Sequence, residues 1–169
     1  MGKIRSTLDI VMDRTKNLSM TSEERENLKR KELSDTVRAW VQRYLDGKMN
    51  LDEMRARVES SKDDRPLELS LLKSELVSGI LLGADNDKLI DALDRVCGID
   101  RGKISAIIDD HQAKLDALMS RNLEHLRLQL EKEGIRGSSV VPNLARSESW
   151  QDSARKVQDS LTREITGIL

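Results

Sequence analysis

Two histidines, one cysteine and scattered aspartates are the residues of this chain that could carry chemistry. His111 follows Asp109 and Asp110, and His125 lies fourteen residues further on. On one helix that separation is roughly 21 Å, too far for the two imidazoles to share a metal ion within one chain. Asp110 and His111 are neighbours, and a helix points neighbours about 100° apart, which is poor geometry for a ligand pair. The spacing suits His111 better as a polar position in a helix seam, like Asn122, of the kind that sets register. Cys97 has no histidine near it in sequence and precedes a glycine that can stop a helix; it reads as a small buried residue. No glycine-rich phosphate loop, Ser/His/Asp pattern or cysteine pair occurs. We therefore assign no catalytic residue, no metal ligand and no cofactor, and expect a protein that is not an enzyme.

A different chemistry is suggested by Leu93-Asp94-Arg95-Val96-Cys97-Gly98-Ile99-Asp100-Arg101-Gly102-Lys103-Ile104-Ser105. With Gly98 in the turn, Ile99 after it and Ile104-Ser105 in the helix that follows, this stretch resembles the helix-turn-helix family around its turn. The resemblance implies that Arg101, Lys103 and Ser105 face a DNA groove. Two features depart from it. Asp94 stands where the family has a small residue, and the second helix runs on far beyond recognition length. Between Asp85 and Asp116, acids outnumber bases eight to five, and such a surface repels phosphates. DNA binding is therefore the alternative reading, with nucleic acid disfavoured as a partner.

The third candidate is a break in pattern. Gly134-Ile-Arg-Gly-Ser-Ser-Val-Val-Pro-Asn-Leu144 interrupts a chain that is otherwise charged and helical. Gly134 can end a helix in the left-handed region, Gly137 permits a second bend, and Pro142 pushes Val141 toward extended backbone. The segment reads as a chain-reversing arm with Ile135, Val140, Val141 and Leu144 to hide. Either it is a packed connector, or those four residues and Trp150 dock a partner.

These candidates must be positioned by helices. The spacing predicts one over 4–17, and another from the capping signal Thr21-Ser22-Glu23-Glu24 to about Leu45. Short helices follow over 51–60 (capped by Asn50), 66–82 (opened by Pro66 and ended by Gly83) and 87–97. Ile104, Ile108, His111, Leu115, Leu118 and Asn122 then repeat at four- and three-residue steps. A second row, Met119, Leu123, Leu126 and Leu130, takes over. Together they predict a long helix over 101–133, with a last helix at 149–166 capped from Ser149 to Asp152.

Aromatic residues make up only 2% of the 169 and charged residues 35%, with mean hydropathy −0.55. That composition favours helices over strands and leaves little apolar volume for a globule. The fold class is therefore all-α: an elongated helical bundle, like a coiled-coil hairpin, on one long helix plus a cluster of short ones. The expected divisions are 1–49, N-terminal helices packing on the long helix; 50–98, the short-helix cluster; 99–133, the long helix; and 134–169, arm and C-terminal helix.

A net charge of −1 gives no global case for nucleic acid or an anionic membrane. A mildly basic first 45 residues reads as a solvated helix face. One cysteine, no secretory signal and no run long enough to span a bilayer point to the cytoplasm with no membrane span. Met1-Gly2-Lys3-Ile4-Arg5-Ser6 fits the loose N-myristoylation pattern but reads as a start before a helix. The stretches GKIRSTLDIVMDRTKNLSMTSEE and GIRGSSVVPN, with Trp150 after the second, resemble an uncharacterised family of bacterial all-helical proteins. That resemblance implies a bacterial cytoplasmic setting and no particular chemistry. The expected role is a non-catalytic helical adaptor or assembly protein. It acts through protein–protein contacts, as a homodimer or with another protein.

Overall fold

The structure, a computed structural model, describes residues 20–61, 64–137 and 140–169. The helix expected over 4–17 and the myristoylation pattern lie outside them. Among the described residues there are six α-helices, one short 3₁₀ turn and no strand: α1 (Ser22–Leu45), α2 (Leu51–Ser60), α3 (Arg65–Ser78), α4 (Asp87–Arg95), α5 (Arg101–Lys132), the turn Leu144–Arg146, and α6 (Glu148–Gly167). The all-α expectation holds.

The helix starts follow from their sequence. Thr21 Oγ1 accepts from the Glu24 backbone N–H at 3.1 Å, and Glu24 returns the bond to the Thr21 N–H at 2.7 Å. Asn50 and Glu53 form the same reciprocal box at the start of α2, at 2.8 and 3.2 Å. Pro66 sits in the first turn of α3, where its missing N–H removes no helical bond. Asp100 caps α5 by accepting from the Lys103 N–H at 2.7 Å. The last helix begins one position earlier than expected, because Ser147 rather than Ser149 caps it.

α3 is the hub. Its apolar residues are not confined to a stripe, and it packs against α1, α2, α4 and α6. Leu72, Leu76 and Val77 from α3 meet Met54 and Val58 of α2, Leu93 of α4, Ile104 of α5, and Leu161 and Ile165 of α6 in one buried cluster. Each such side chain contributes about 1.5–3 kcal/mol by leaving water. The four shorter elements, the first turns of α5 and the end of α6 thus share a single core.

This arrangement corrects one expectation. Ser22–Leu45 packs mainly along α3, not along the long helix. The reason lies in where α1 is apolar. Its buried residues, Val37, Trp40 and Val41, fall in its second half, and α3 offers more apolar surface than the narrow stripe of α5. Residues 22–32 of α1 are exposed throughout. A second correction concerns α3, which ends at Ser78 rather than at 82. Side chains replace the missing helical bonds there. Asn86 accepts from the Leu81 N–H at 3.1 Å and donates to the Leu81 carbonyl at 2.9 Å. Gln158 of α6 donates to the Ile80 carbonyl at 2.9 Å and accepts from the Leu82 N–H at 3.0 Å.

α5 is continuous. At 1.5 Å per residue its 32 residues span about 48 Å. It packs along α6, and its first turns meet α4. Ile104 and His111 are its only buried residues, so everything from Gln112 to Lys132 is at least partly open.

Candidate functional site

The chemistry a chain can offer depends on which polar groups its helices leave unspent. Arg101 is spent. Its guanidinium bridges Asp87, at 3.0 Å, and Asp91, both on α4, and so ties α5 to the helix before it. Lys103 is exposed, and Ser105 is half-buried. The three residues nominated for DNA therefore do not form a common basic face: one is neutralised in place and one is partly covered.

His111 lies where the sequence placed it, in a helix seam, with 1% of its surface exposed. Nδ1 is 3.0 Å from the Ile107 carbonyl. A carbonyl can only accept, so Nδ1 carries a proton. Nε2 lies 3.4 Å from Ser160 Oγ and 3.6 Å from Glu164 Oε2, both on α6. Asn122, about three turns beyond the seam's buried part, donates to the Leu118 carbonyl of its own helix at 2.9 Å. His125 is exposed. No group of three or more His, Cys, Asp or Glu among the described residues is placed to hold a metal.

Cys97 is partly buried against the core, beside a cavity of about 470 Å³ bordered by Leu69, Lys73 and Leu169. Burial pushes its thiol up to about 11, against a smaller opposing effect of the Lys73 charge. Lys73 itself donates to the Leu169 carbonyl at 2.8 Å. A thiol held protonated is a poor nucleophile, so this is a packing residue.

The arm has a defined geometry. The Ile135 N–H reaches the Leu130 carbonyl at 2.9 Å, and the Gly134 N–H the Glu131 carbonyl at 3.2 Å. This nested pair needs a left-handed residue between its bonds, and Gly134 supplies it with φ 84°. Gly137, at φ 141°, makes the second bend. The chain is then stapled to α6. The Asn143 side chain accepts from the Ala145 N–H at 3.0 Å, Gln151 donates to the Ala145 carbonyl at 2.6 Å, and Ser147 accepts from the Trp150 N–H at 3.4 Å. The five residues nominated for partner docking divide. Val140, Leu144 and Trp150 are half-buried, whereas Ile135 is 48% and Val141 83% exposed.

Apolar exposure does not stop at the arm. Met119 is 38% and Leu128 51% exposed on the outer part of α5, and Leu123, Leu126 and Leu130 are only partly covered. The seam explains this. Its four-then-three spacing would place His125 and Gln129 next, but the leucines continue at Leu126 and Leu130 instead. The register across the seam also matters: His111 faces Ser160 and Leu118 shares a gap with Ser153, so α6, which starts at Glu148, runs out about one turn past Leu118 and leaves Leu126 and Leu130 beyond it. The second row was visible in the sequence; how far α6 runs beside it required the register of the two helices.

No family model matches the chain, and no curated protein or solved structure matches it.

Proposed function

We propose that the protein is a non-catalytic helical adaptor or assembly protein, working as a homodimer whose long helices cover one another's outer halves. The observation that carries this reading is the state of α5 beyond His111. It has an apolar row at Met119, Leu123, Leu126 and Leu130 and no buried residue from Gln112 onward. A narrow apolar stripe on a long rod is most stable when another helix covers it. Ile135, whose N–H bonds the Leu130 carbonyl, and Val141 of the arm are exposed as well. A cytoplasmic setting belongs to the proposal, resting on the single cysteine. No helix among the described residues is long and apolar enough to cross a membrane.

The test is solution mass by light scattering, with maximum dimension by small-angle scattering. The expected result is twice the chain mass at tens of micromolar. Leu126→Asp and Met119→Asp should give the single-chain mass with helical content unchanged. A wild-type chain that stays monomeric at that concentration overturns the reading. The helix-turn-helix alternative draws no support from the site, because the Arg101 guanidinium is engaged by two carboxylates.

A further inference from the structure

The α5–α6 seam contains a cavity of about 250 Å³, at the point where burial of α5 ends. α5 contributes His111, Lys114 and Leu118 to it. α6 contributes Ser153, Lys156, Val157 and Ser160. These positions recur at i, i+3 and i+7 on one helix and i, i+3, i+4 and i+7 on the other, the spacing of two faces turned toward each other. Large apolar residues normally fill such positions. Two serines and a valine do so on α6, and the gap follows from their small volume.

The lining has a definite chemical character. Leu118 and Val157 form an apolar part. Ser160 and Ser153 contribute hydroxyls, and the imidazole of His111 closes one end. Two ammonium groups stand beside them, and no carboxylate among the described residues borders the cavity. Lys114 is paired with Asp110, whereas Lys156 has no ion pair among the described residues. A second acid, Glu164, lies 3.6 Å from His111 Nε2. The Ser160 contact to that nitrogen is long, at 3.4 Å, and the hydroxyl can rotate to serve another acceptor. Ser153 donates to the Ser149 carbonyl at 2.8 Å and keeps acceptor capacity only. Lys156 and Ser160 are therefore the donors available to an incoming negative group.

We infer that this cavity is a binding site for a small organic anion: a carboxylate held by Lys156 and Ser160, with a short apolar body lying on Leu118 and Val157. The volume is just under the usual range for small-molecule pockets, so the ligand is a fragment of several carbons rather than a nucleotide or a lipid. The inference does not depend on dimerisation, since every lining residue comes from one chain.

The test uses the full chain and three probes: hexanoate, hexanol and acetate. Titration is followed by ¹⁵N–¹H and imidazole resonances. Hexanoate is expected to shift signals of His111, Lys156 and Ser160 saturably in the low-millimolar range. Hexanol and acetate, which lack the charge or the apolar body, should be at least tenfold weaker. Lys156→Glu should weaken hexanoate at least tenfold without changing the fold. Ser153→Leu, which fills the gap, should raise the melting temperature of the free protein and abolish the response. No saturable shift up to 20 mM hexanoate, or equal responses to hexanoate and hexanol, overturns the inference. Should Ser153→Leu fail to fold, the Lys156→Glu titration decides alone. Repeating the titration on Leu126→Asp separates this result from the oligomeric state.

Discussion

Glu68 is 4% exposed, and only one of its carboxylate oxygens is satisfied among the described residues: Oε1 takes a bond from Ser61 Oγ at 3.0 Å, and Oε2 has no partner among them. A buried polar atom left unpaired costs about 1–3 kcal/mol. Glu68→Met keeps the length of the side chain and removes that cost. The expected outcome is a gain of roughly 1–2 kcal/mol, read as a higher urea midpoint at unchanged slope. Cys97 carries a prediction about pH. Its thiol is raised from an ordinary value of 9.0 to about 11 by burial, so the folded chain keeps a proton that the unfolded chain has already lost. The stability contributed by this group is complete below pH 9 and is lost as pH rises through about 11, at most roughly 2 kcal/mol. Urea midpoints at pH 7.5, 9 and 10.5 should fall more steeply for wild type than for Cys97→Ala. Parallel profiles would refute the assignment. At this scale the sequence was only partly readable. His111 as a seam residue follows from the periodicity of its own helix, and the structure buries it in that seam. Glu68 is one of many acids in a charged chain, and nothing local marks it as buried. Arg101 resembled a DNA contact because its partners, Asp87 and Asp91, reach it only once α4 folds against α5.

The two capping boxes of identical chemistry should have unequal worth. Asn50 opens a helix whose Met54 and Val58 are in the core, so Asn50→Ala should cost about 1 kcal/mol of global stability. Thr21 opens a stretch of α1 that is exposed from 22 to 32. Thr21→Ala should fray that end, raising amide exchange over Ser22–Arg25, with a global loss under about 0.5 kcal/mol. Equal losses would mean that the start of α1 is coupled to the core in a way its exposure does not suggest. Helix starts were legible because a cap needs only residues three apart. The end of α3 was not, because it is made by Asn86 and by Gln158, which lies 78 residues beyond the carbonyl it binds. Gly79, read as helix interior, sits where an added Cβ would lie 3.2 Å from Leu89 Cδ1. That close approach of α4 is a tertiary fact. Asn86→Ala strips three hydrogen bonds from the 81–86 loop and should cost about 2 kcal/mol or more, measured by thermal unfolding.

For the molecule as a whole, the sequence specified the length of the rod and left its neighbours open. α5 runs from Arg101 to Lys132, close to the expected 101–133, since an uninterrupted apolar repeat without proline allows little else. Its pairing with α6 follows from the short reversal between them. Assigning α1 to the same rod failed, because apolar stripes state that a helix needs a partner without stating which one. Arg101→Ala tests the same distinction at full scale. If Arg101 joins α4 to α5, the variant should lose about 1 kcal/mol or less, since the pair is solvent-exposed, and the chain should leave duplex DNA unshifted at low salt with or without it. Salt-sensitive binding abolished by the substitution would restore the regulator reading.

The reversal at Gly134 and Gly137 has one further consequence. α6 lends Leu161 and Ile165 to the core, yet it is joined to the rest of the chain through this bend alone. Straightening the joint would carry α6 away from its own body and seat it in an identical groove on a neighbour, with each contact remade in exchange. Two glycines thus stand between a self-contained chain and a reciprocal swap.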